Sequence, residues 1–474
     1  MDKEEFRKRG HQLVDWMADF LESKESFPVT PAVSPGEIMA QIPEFGPDQS
    51  ESFDTIFQDF EKVILPGMTH WQHPSFFGYF PANNSEPSIL AEMLTATLGA
   101  QCMSWLTSPA AAELEERVCD WLKIAKGIDP SWKGCIHDTA STATLSALLT
   151  ARERASNFGI NTKGFSGKEM FRVYSSSHVH SSIDKAVKIS GIGVENLVRI
   201  AVDENFGMIP SELEKAIQKD KEAGFRPLMV ISALGTTSST AVDPIGSITE
   251  ISQKYGIWHH IDAAFAGTAL LLDEYKPLIQ GHEGADSYVF NPHKWMMTNF
   301  DCTIMYLKEP KALVNTFGLT PEYLKTQLDD QVNNYRDWGI PLGRRFRALK
   351  LWFVIRSYGL EGLRSKIRNH IALAKKAESW IEAEENLEIL APVNFNTICF
   401  RYVDSNLSLE KLNSLNEAWM NRVNETRKAF FTHTKLDGKY VIRWVIGQTD
   451  VELKHIQSAW VLLQENLEQV LQEK

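Results

Sequence analysis

The chain has 474 residues, 43% of them apolar and 23% charged, the texture of a soluble globular protein with room for two or three domains and a large core. A net charge of −12 argues against nucleic acid or an anionic membrane surface as the main partner, and no apolar run approaches the ~18 residues of a membrane span. The start, MDKEEFRKRG, lacks the apolar core of a signal peptide, and five dispersed cysteines (102, 119, 135, 302 and 399) form no CxxC pair, so a reducing cytoplasm is expected rather than a disulfide framework or a zinc site.

In chain order, residues 5–22 place Phe6, Leu13, Met17, Phe20 and Leu21 at helical spacing. Five prolines between Pro28 and Pro47 then make an extended link, and a second helix is expected over 53–65, ended by Pro66–Gly67. Such an arm has little core of its own and must pack on something else, a second subunit being the natural candidate. From about residue 86 helical runs (110–126, 141–155) alternate with the apolar runs 171–176, 226–234, 257–264, 287–290 and 302–307. That alternation predicts a mostly parallel α/β sheet covered on both faces. After residue 360, LEILAP, TICFRYV and KYVIRWVIG read as strands, with helices near 363–383 and 451–472. The expected division is a helical arm (1–85), a large α/β domain (86–360) and a small α+β domain (361–474).

In open α/β sheets ligands bind at the carboxyl ends of strands. Here those ends carry Gly235-Thr236-Thr237, Asp262, the group Asn291, His293 and Lys294, and, after 171–176, His178 and His180. Singly, each has a plain role: Asp262 as a helix cap, Lys294 pointing to solvent, His180 as a structural histidine. No metal pattern is present, since His259 and His260 are adjacent and face opposite ways on a strand. Together, a lysine that can hold an aldehyde as a Schiff base and an aspartate that can pair with a pyridinium nitrogen are the protein's half of pyridoxal 5′-phosphate chemistry. The small hydroxyl residues of HDTASTATLSALL (137–149) precede a helix whose N-terminus suits a phosphate, although Ser141 also reads as a simple N-cap. Neither GxGxxG nor GxxxxGK[ST] occurs.

Six stretches, THWQHPSFFGYFPANNS (69–85), SWLTSPAAAELE (104–115), HVHSSIDKA (178–186), HIDAAFAG (260–267), FNPHKW (290–295) and IPLGRRFRALKLWFVIRSYG (340–359), resemble the group II pyridoxal-phosphate decarboxylases, and among them those acting on aromatic amino acids. The likeness covers nearly the whole chain in order. It implies a fold-type-I transferase architecture and a homodimer with active sites at the interface, the N-terminal arm wrapping the partner. It matches Lys294 to the Schiff-base lysine, Asp262 to the pyridinium partner, Ala264 to the small residue under the ring and His180 to the imidazole over it. Ala140, Ser141 and Asn291 match phosphate contacts, Thr237 a cofactor-side hydroxyl, and His293 the histidine before the lysine. Tyr323, within the polar stretch 318–338, matches the tyrosine of a loop that closes over the site and donates a proton. Trp71, Tyr79, Phe80 and Pro81 match the aromatic substrate pocket.

The sequence departs from the family pattern at three places. Ala82 stands where animal members carry threonine, and Gln101 and Met103 where apolar and aromatic residues are usual. Gly343 is the small residue that in plant relatives accompanies indole substrates, which leans the expectation towards tryptophan over DOPA. An aldehyde synthase on the same scaffold is the alternative activity. Relatives of that kind replace the equivalent of Tyr323 or His180, and this chain keeps both.

Overall fold

The computed structural model describes residues 1–167, 170–319, 327–328 and 331–473. A seven-stranded sheet is built from β1 (Lys133–His137), β2 (Phe171–Ser176), β3 (Leu197–Ile200), β4 (Arg226–Ala233), β5 (Trp258–Asp262), β6 (Ser287–Phe290) and β7 (Thr303–Leu307), in the order β1-β7-β6-β5-β4-β2-β3. The five strands from β6 to β3 run parallel, joined by helical crossovers. β7 is antiparallel to both of its neighbours, unlike the other apolar runs grouped with it in the sequence. The segment 291–302 folds back on itself and carries no full-length crossover helix, so it can only return the chain antiparallel. β1 and β3, short and poorly bounded in sequence, complete the edges.

Both faces of this sheet are covered. Ile261, Tyr288, Phe290, Ile304 and Tyr306 pack on one side against the helices Pro109–Lys126 and Arg347–Glu382. Val173, Met229, Ile231, Val289 and Met305 pack on the other side with Ala143, Ala147 and Leu148 of the helix Ala140–Ala155. Side chains alternate across a strand. Asp262 therefore points, one residue after Ile261, to the face where that helix begins.

A second sheet, β8 (Leu387–Ile389), β9 (Thr397–Tyr402), β10 (Thr432–Leu436) and β11 (Lys439–Val445), is wholly antiparallel in the order β10-β11-β9-β8. The helices Leu409–Glu425 and Leu453–Gln472 bury its apolar side. The long helix Arg347–Glu382 joins the two sheets and is broken at Gly359, whose φ of 64° only glycine adopts readily. It begins well before the helix expected near 363–383, its first turns packing on the large sheet.

Two helices form in the expected arm, the second α-helical over Phe53–Asp59 and continuing as a wider turn over Phe60–Ile64 in place of one helix over 53–65. Asp2 caps the helix Lys3–Ser23 by accepting the Glu5 N–H at 2.8 Å, and Ser52 caps Phe53–Asp59. Trp16 joins the two helices, its ring 5.9 Å from Phe57 and 5.3 Å from Phe60. Neither helix has a fully buried residue.

Candidate active site

One cleft lies at the carboxyl ends of β4, β5 and β6. Its lining includes Phe80, Thr139, Ala140, Ser141, His180, Thr237, Asp262, Ala264, Asn291, His293 and Lys294. Every cofactor residue named from the sequence is thus in one place. Strand register explains part of this: Ala233 pairs with Asp262 and Asp262 with Val289, so three neighbouring strands end level.

Each group is held by its own backbone neighbours. Asp262 Oδ1 accepts the Ala264 N–H at 3.0 Å, which fixes the carboxylate at the mouth of β5. After β6, Asn291 starts a single helical turn, Pro292–Trp295, and its carbonyl accepts the Lys294 N–H at 3.0 Å. That turn carries Lys294 off the strand end and into the cleft. Thr303 Oγ1 donates to Asn291 Oδ1 at 2.9 Å, and so leaves the Asn291 amide N–H groups for an acceptor. His293 Nδ1 accepts the Cys302 N–H at 2.9 Å, and burial with the nearby Lys294 pushes this imidazole down to about 3. His180 Nδ1 accepts the Ser182 N–H at 3.1 Å, which requires an unprotonated Nδ1 and puts the ring hydrogen on Nε2. Burial and Lys294 lower the His180 pKa and favour the same neutral form. The Lys294 amine is also held below the usual lysine value, chiefly by burial and partly by Arg443, against the attraction of Asp262.

The anion end differs in one detail from the sequence reading. Thr139, not Ser141, caps the helix Ala140–Ala155, its Oγ1 accepting the Thr142 N–H at 3.3 Å. Ser141 is left exposed on the first turn with its hydroxyl free of the cap. A helix N-terminus, a free hydroxyl and the Asn291 amide make a cradle for a phosphate, with an amine, a carboxylate and a neutral imidazole beyond it. This donor set fits pyridoxal phosphate.

Among the expected substrate residues, Phe80 lines the cleft. Its ring stacks on Phe265 at 3.9 Å and lies 5.1 Å from Lys294 Nζ, and Phe265 in turn stacks on Trp295 at 5.0 Å. The others stand outside this lining in the single chain. Trp71 and Tyr79 stack on each other at 5.5 Å, 37% and 53% exposed. Pro81 is buried against Gly447, and the Ala82 carbonyl accepts from Gln72 Nε2. Gln101 Oε1 accepts the Arg344 N–H at 2.8 Å with its amide beside Gly343, and the Met103 carbonyl accepts the Arg336 N–H at 2.8 Å. Tyr323 lies outside the described residues.

Arg443 was missed. It is 4% exposed in the middle of β11 and its guanidinium lies 5.2 Å from the Phe80 ring. Nε donates to the Ser238 carbonyl at 2.8 Å and Nη1 to the Tyr79 carbonyl at 3.3 Å, whereas Nη2 has no hydrogen-bond partner. A lone arginine inside the apolar run KYVIRWV is the same signal that exposed Lys294, a buried cation asking for an anion.

A strand-end lysine set across from a strand-end aspartate, with a phosphate cradle between helix and strand, defines a pyridoxal-phosphate enzyme of fold type I. The chain belongs to the pyridoxal-dependent decarboxylase family, whose conserved-domain model matches residues 35–403. It is 42% identical to the phenylacetaldehyde synthase of Arabidopsis thaliana over 99% of this chain and 97% of that one. Tryptophan decarboxylase 2 of Oryza sativa subsp. japonica is 40% identical over 99% of this chain and 96% of its own length. Catharanthus roseus tryptophan decarboxylase, solved in complex with L-tryptophan, superposes with a TM-score of 0.93 at 37% identity, covering 99% of both chains. Oryza sativa TDC, solved with PLP and tryptamine, superposes with a TM-score of 0.96 at 34% identity over 99% of both chains. The protein is a pyridoxal-phosphate-dependent carboxy-lyase, as its sequence implied.

Proposed function

We propose that the protein decarboxylates an aromatic L-amino acid of the tryptophan, tyrosine, phenylalanine or DOPA type to its amine and CO₂. The observation that carries this is the Phe80 ring in the cleft beside Lys294, backed by Phe265 and then by buried Trp295, an apolar face for a ring. Lys294 is the only lysine or arginine lining the cleft among the described residues, so nothing there matches a side-chain carboxylate. When bound, the cofactor supplies an electron sink for the bond from Cα to the carboxylate. The chain's residues do the rest. Lys294 would hold the cofactor through its aldehyde, the position the substrate amine would then take. Asp262 keeps the ring nitrogen protonated. Ala140, Ser141 and Asn291 hold the phosphate, Thr237 a cofactor-side hydroxyl, and neutral His180 covers the ring while His293 braces the lysine's turn. Tyr323 returns a proton to Cα.

With wild-type holoenzyme, tryptophan, tyrosine, phenylalanine or DOPA should give amine and CO₂ at kcat/KM values at least tens of times those for glutamate or aspartate; the unpaired side-chain carboxylate costs the acidic substrates roughly 2 kcal/mol or more. Glutamate as the best substrate would end the aromatic reading. The second reading, an aromatic aldehyde synthase, is favoured by the likeness to the Arabidopsis thaliana enzyme. Retention of Tyr323 and His180 supports the amine, and peroxide measured in the same assay separates the two.

We propose also that the working unit is a cytoplasmic homodimer. The arm helices lack a buried residue, and the helix Glu86–Leu98 exposes Leu90, Met93, Leu94 and Leu98 at helical spacing. A second copy would cover these faces with its own arm (1–85). It would also bring Gln101, Met103 and Gly343, carried on the large domain (86–360), towards the partner's cleft, while the small domain (361–474) backs the cleft of its own chain. Sedimentation equilibrium should return twice the chain mass, and replacing Leu94 and Leu98 by glutamate should shift it to monomer with loss of activity.

A further inference from the structure

The turn that delivers Phe80 into the cleft is gripped from behind by the small sheet. Tyr79, the residue before it, has φ 53°, a left-handed conformation that a tyrosine keeps only when its surroundings impose it. Both of its backbone polar groups are engaged there. The Tyr79 N–H donates to Thr432 Oγ1 at 3.1 Å, and the Tyr79 carbonyl accepts from Arg443 Nη1 at 3.3 Å. Arg443 Nη1 also donates to Thr432 Oγ1 at 3.3 Å, which closes a three-membered clamp. Thr432 and Arg443 are direct partners across β10 and β11, so their side chains share one face of the sheet. The methyl side of Thr432 presses on the same turn: a Cβ at Gly78 would come within 3.1 Å of Thr432 Cγ2 and 2.7 Å of the Phe430 ring.

We propose that Thr432 is a positioning residue for the substrate, its hydroxyl holding the left-handed turn at Tyr79 and thereby setting where the Phe80 ring stands against an aromatic side chain. This rests on the reading of the cleft as an aromatic amino-acid site. Thr432 itself does not line the cleft. Without its hydroxyl the Tyr79 N–H loses its acceptor, and the turn is free to relax towards negative φ and carry Phe80 off Phe265. The cofactor loop would stay in place, because Arg443 Nε still holds the Ser238 carbonyl and Thr434 Oγ1 donates to Ser238 Oγ at 3.1 Å. The effect should therefore fall on substrate and not on cofactor.

The test uses holoenzyme of wild type, Thr432→Val, Thr432→Ser and, as a control on the exposed side of the same strand, Lys435→Ala. Four quantities are read: KM and kcat for the aromatic substrate the wild type prefers, the dissociation constant of the matching amine from the bound cofactor's absorbance, and cofactor content after dialysis. Thr432→Val keeps the branched shape and should raise KM and the amine dissociation constant about fivefold, the worth of one hydrogen bond, with kcat within about twofold and cofactor content unchanged. Thr432→Ser should restore both constants, and Lys435→Ala should leave KM at the wild-type value. Unchanged KM and amine binding in Thr432→Val would overturn the proposal, as would a parallel loss of cofactor, which marks a general structural role. Wild type that binds no aromatic amine would instead bring down the substrate reading, and this proposal with it.

Discussion

Replacing Lys294 by alanine leaves a protein that binds pyridoxal phosphate and turns over roughly 10³-fold more slowly, within the range a positioned acid–base group contributes. The reason lies in how the cleft divides its labour. In the proposed assignment the phosphate falls to Ala140, Ser141 and Asn291 and the ring to Asp262, Ala264 and His180, which line the cleft independently of the amine. What is lost is the group that holds the aldehyde and is exchanged for substrate. Borohydride treatment of wild-type holoenzyme should fix the pyridoxyl mass on the peptide containing Lys294 and on no other lysine. The depressed pKa of this amine has a direction that can be measured. A free amine is the nucleophile, so a lower pKa means more of it at a given pH, and cofactor uptake by apoprotein should reach its plateau below the ordinary lysine value of 10.5. A plateau at or above that value, or labelling elsewhere, would remove Lys294 from this role.

Replacing Tyr323 by phenylalanine should still release CO₂ but lower the amine yield roughly 10²-fold, as removal of a general acid does. Tyrosine is a neutral donor at neutral pH, with a reference pKa of about 10. Phenylalanine keeps the ring and removes the proton. Cα, electron-rich after CO₂ leaves, then meets oxygen in place of an acid. The net reaction becomes amino acid + O₂ + H₂O giving aldehyde, CO₂, ammonia and hydrogen peroxide. Product ratios by chromatography, with peroxide measured alongside, check this. An amine yield equal to that of wild type would sink the proton-donor role.

The cofactor half of the site could be read from the sequence because its residues sit at strand ends, where chain direction and strand length alone bring them together. FRVYSS, RPLMVISAL and SYVF match the observed strands to within a residue, IWHHIDAA overruns its strand by two at the carboxyl end, and their ends converge. Position at a cap was less legible: Thr139 and Ser141 offer the same hydroxyl, and only the helix start decides between them. The direction of β7 was hidden because an apolar run looks the same whichever way it pairs. Arg443 was hidden for a different reason. The run KYVIRWV marks it as a buried cation, but its meaning depends on contacts with residues 79, 80 and 238, which that run does not encode. The residues 101, 103 and 343 were legible only by likeness, and within one chain Gln101 meets Gly343 and Arg344, Met103 meets Arg336, and none lines the cleft.

The clamp formed by β10 and β11 places part of the site in the last strands of the chain to be made. All seven strands of the large sheet, with Lys294 and Asp262, leave the ribosome before Thr432 and Arg443 exist. At about 5–20 residues per second the interval between Lys294 and Arg443 is roughly 10–30 s. For that time a nascent chain carries the residues assigned to the cofactor but neither of the side chains that grip the turn at Tyr79. The reactive amine can be occupied by its cofactor first, and the wall that admits an amino acid is finished last.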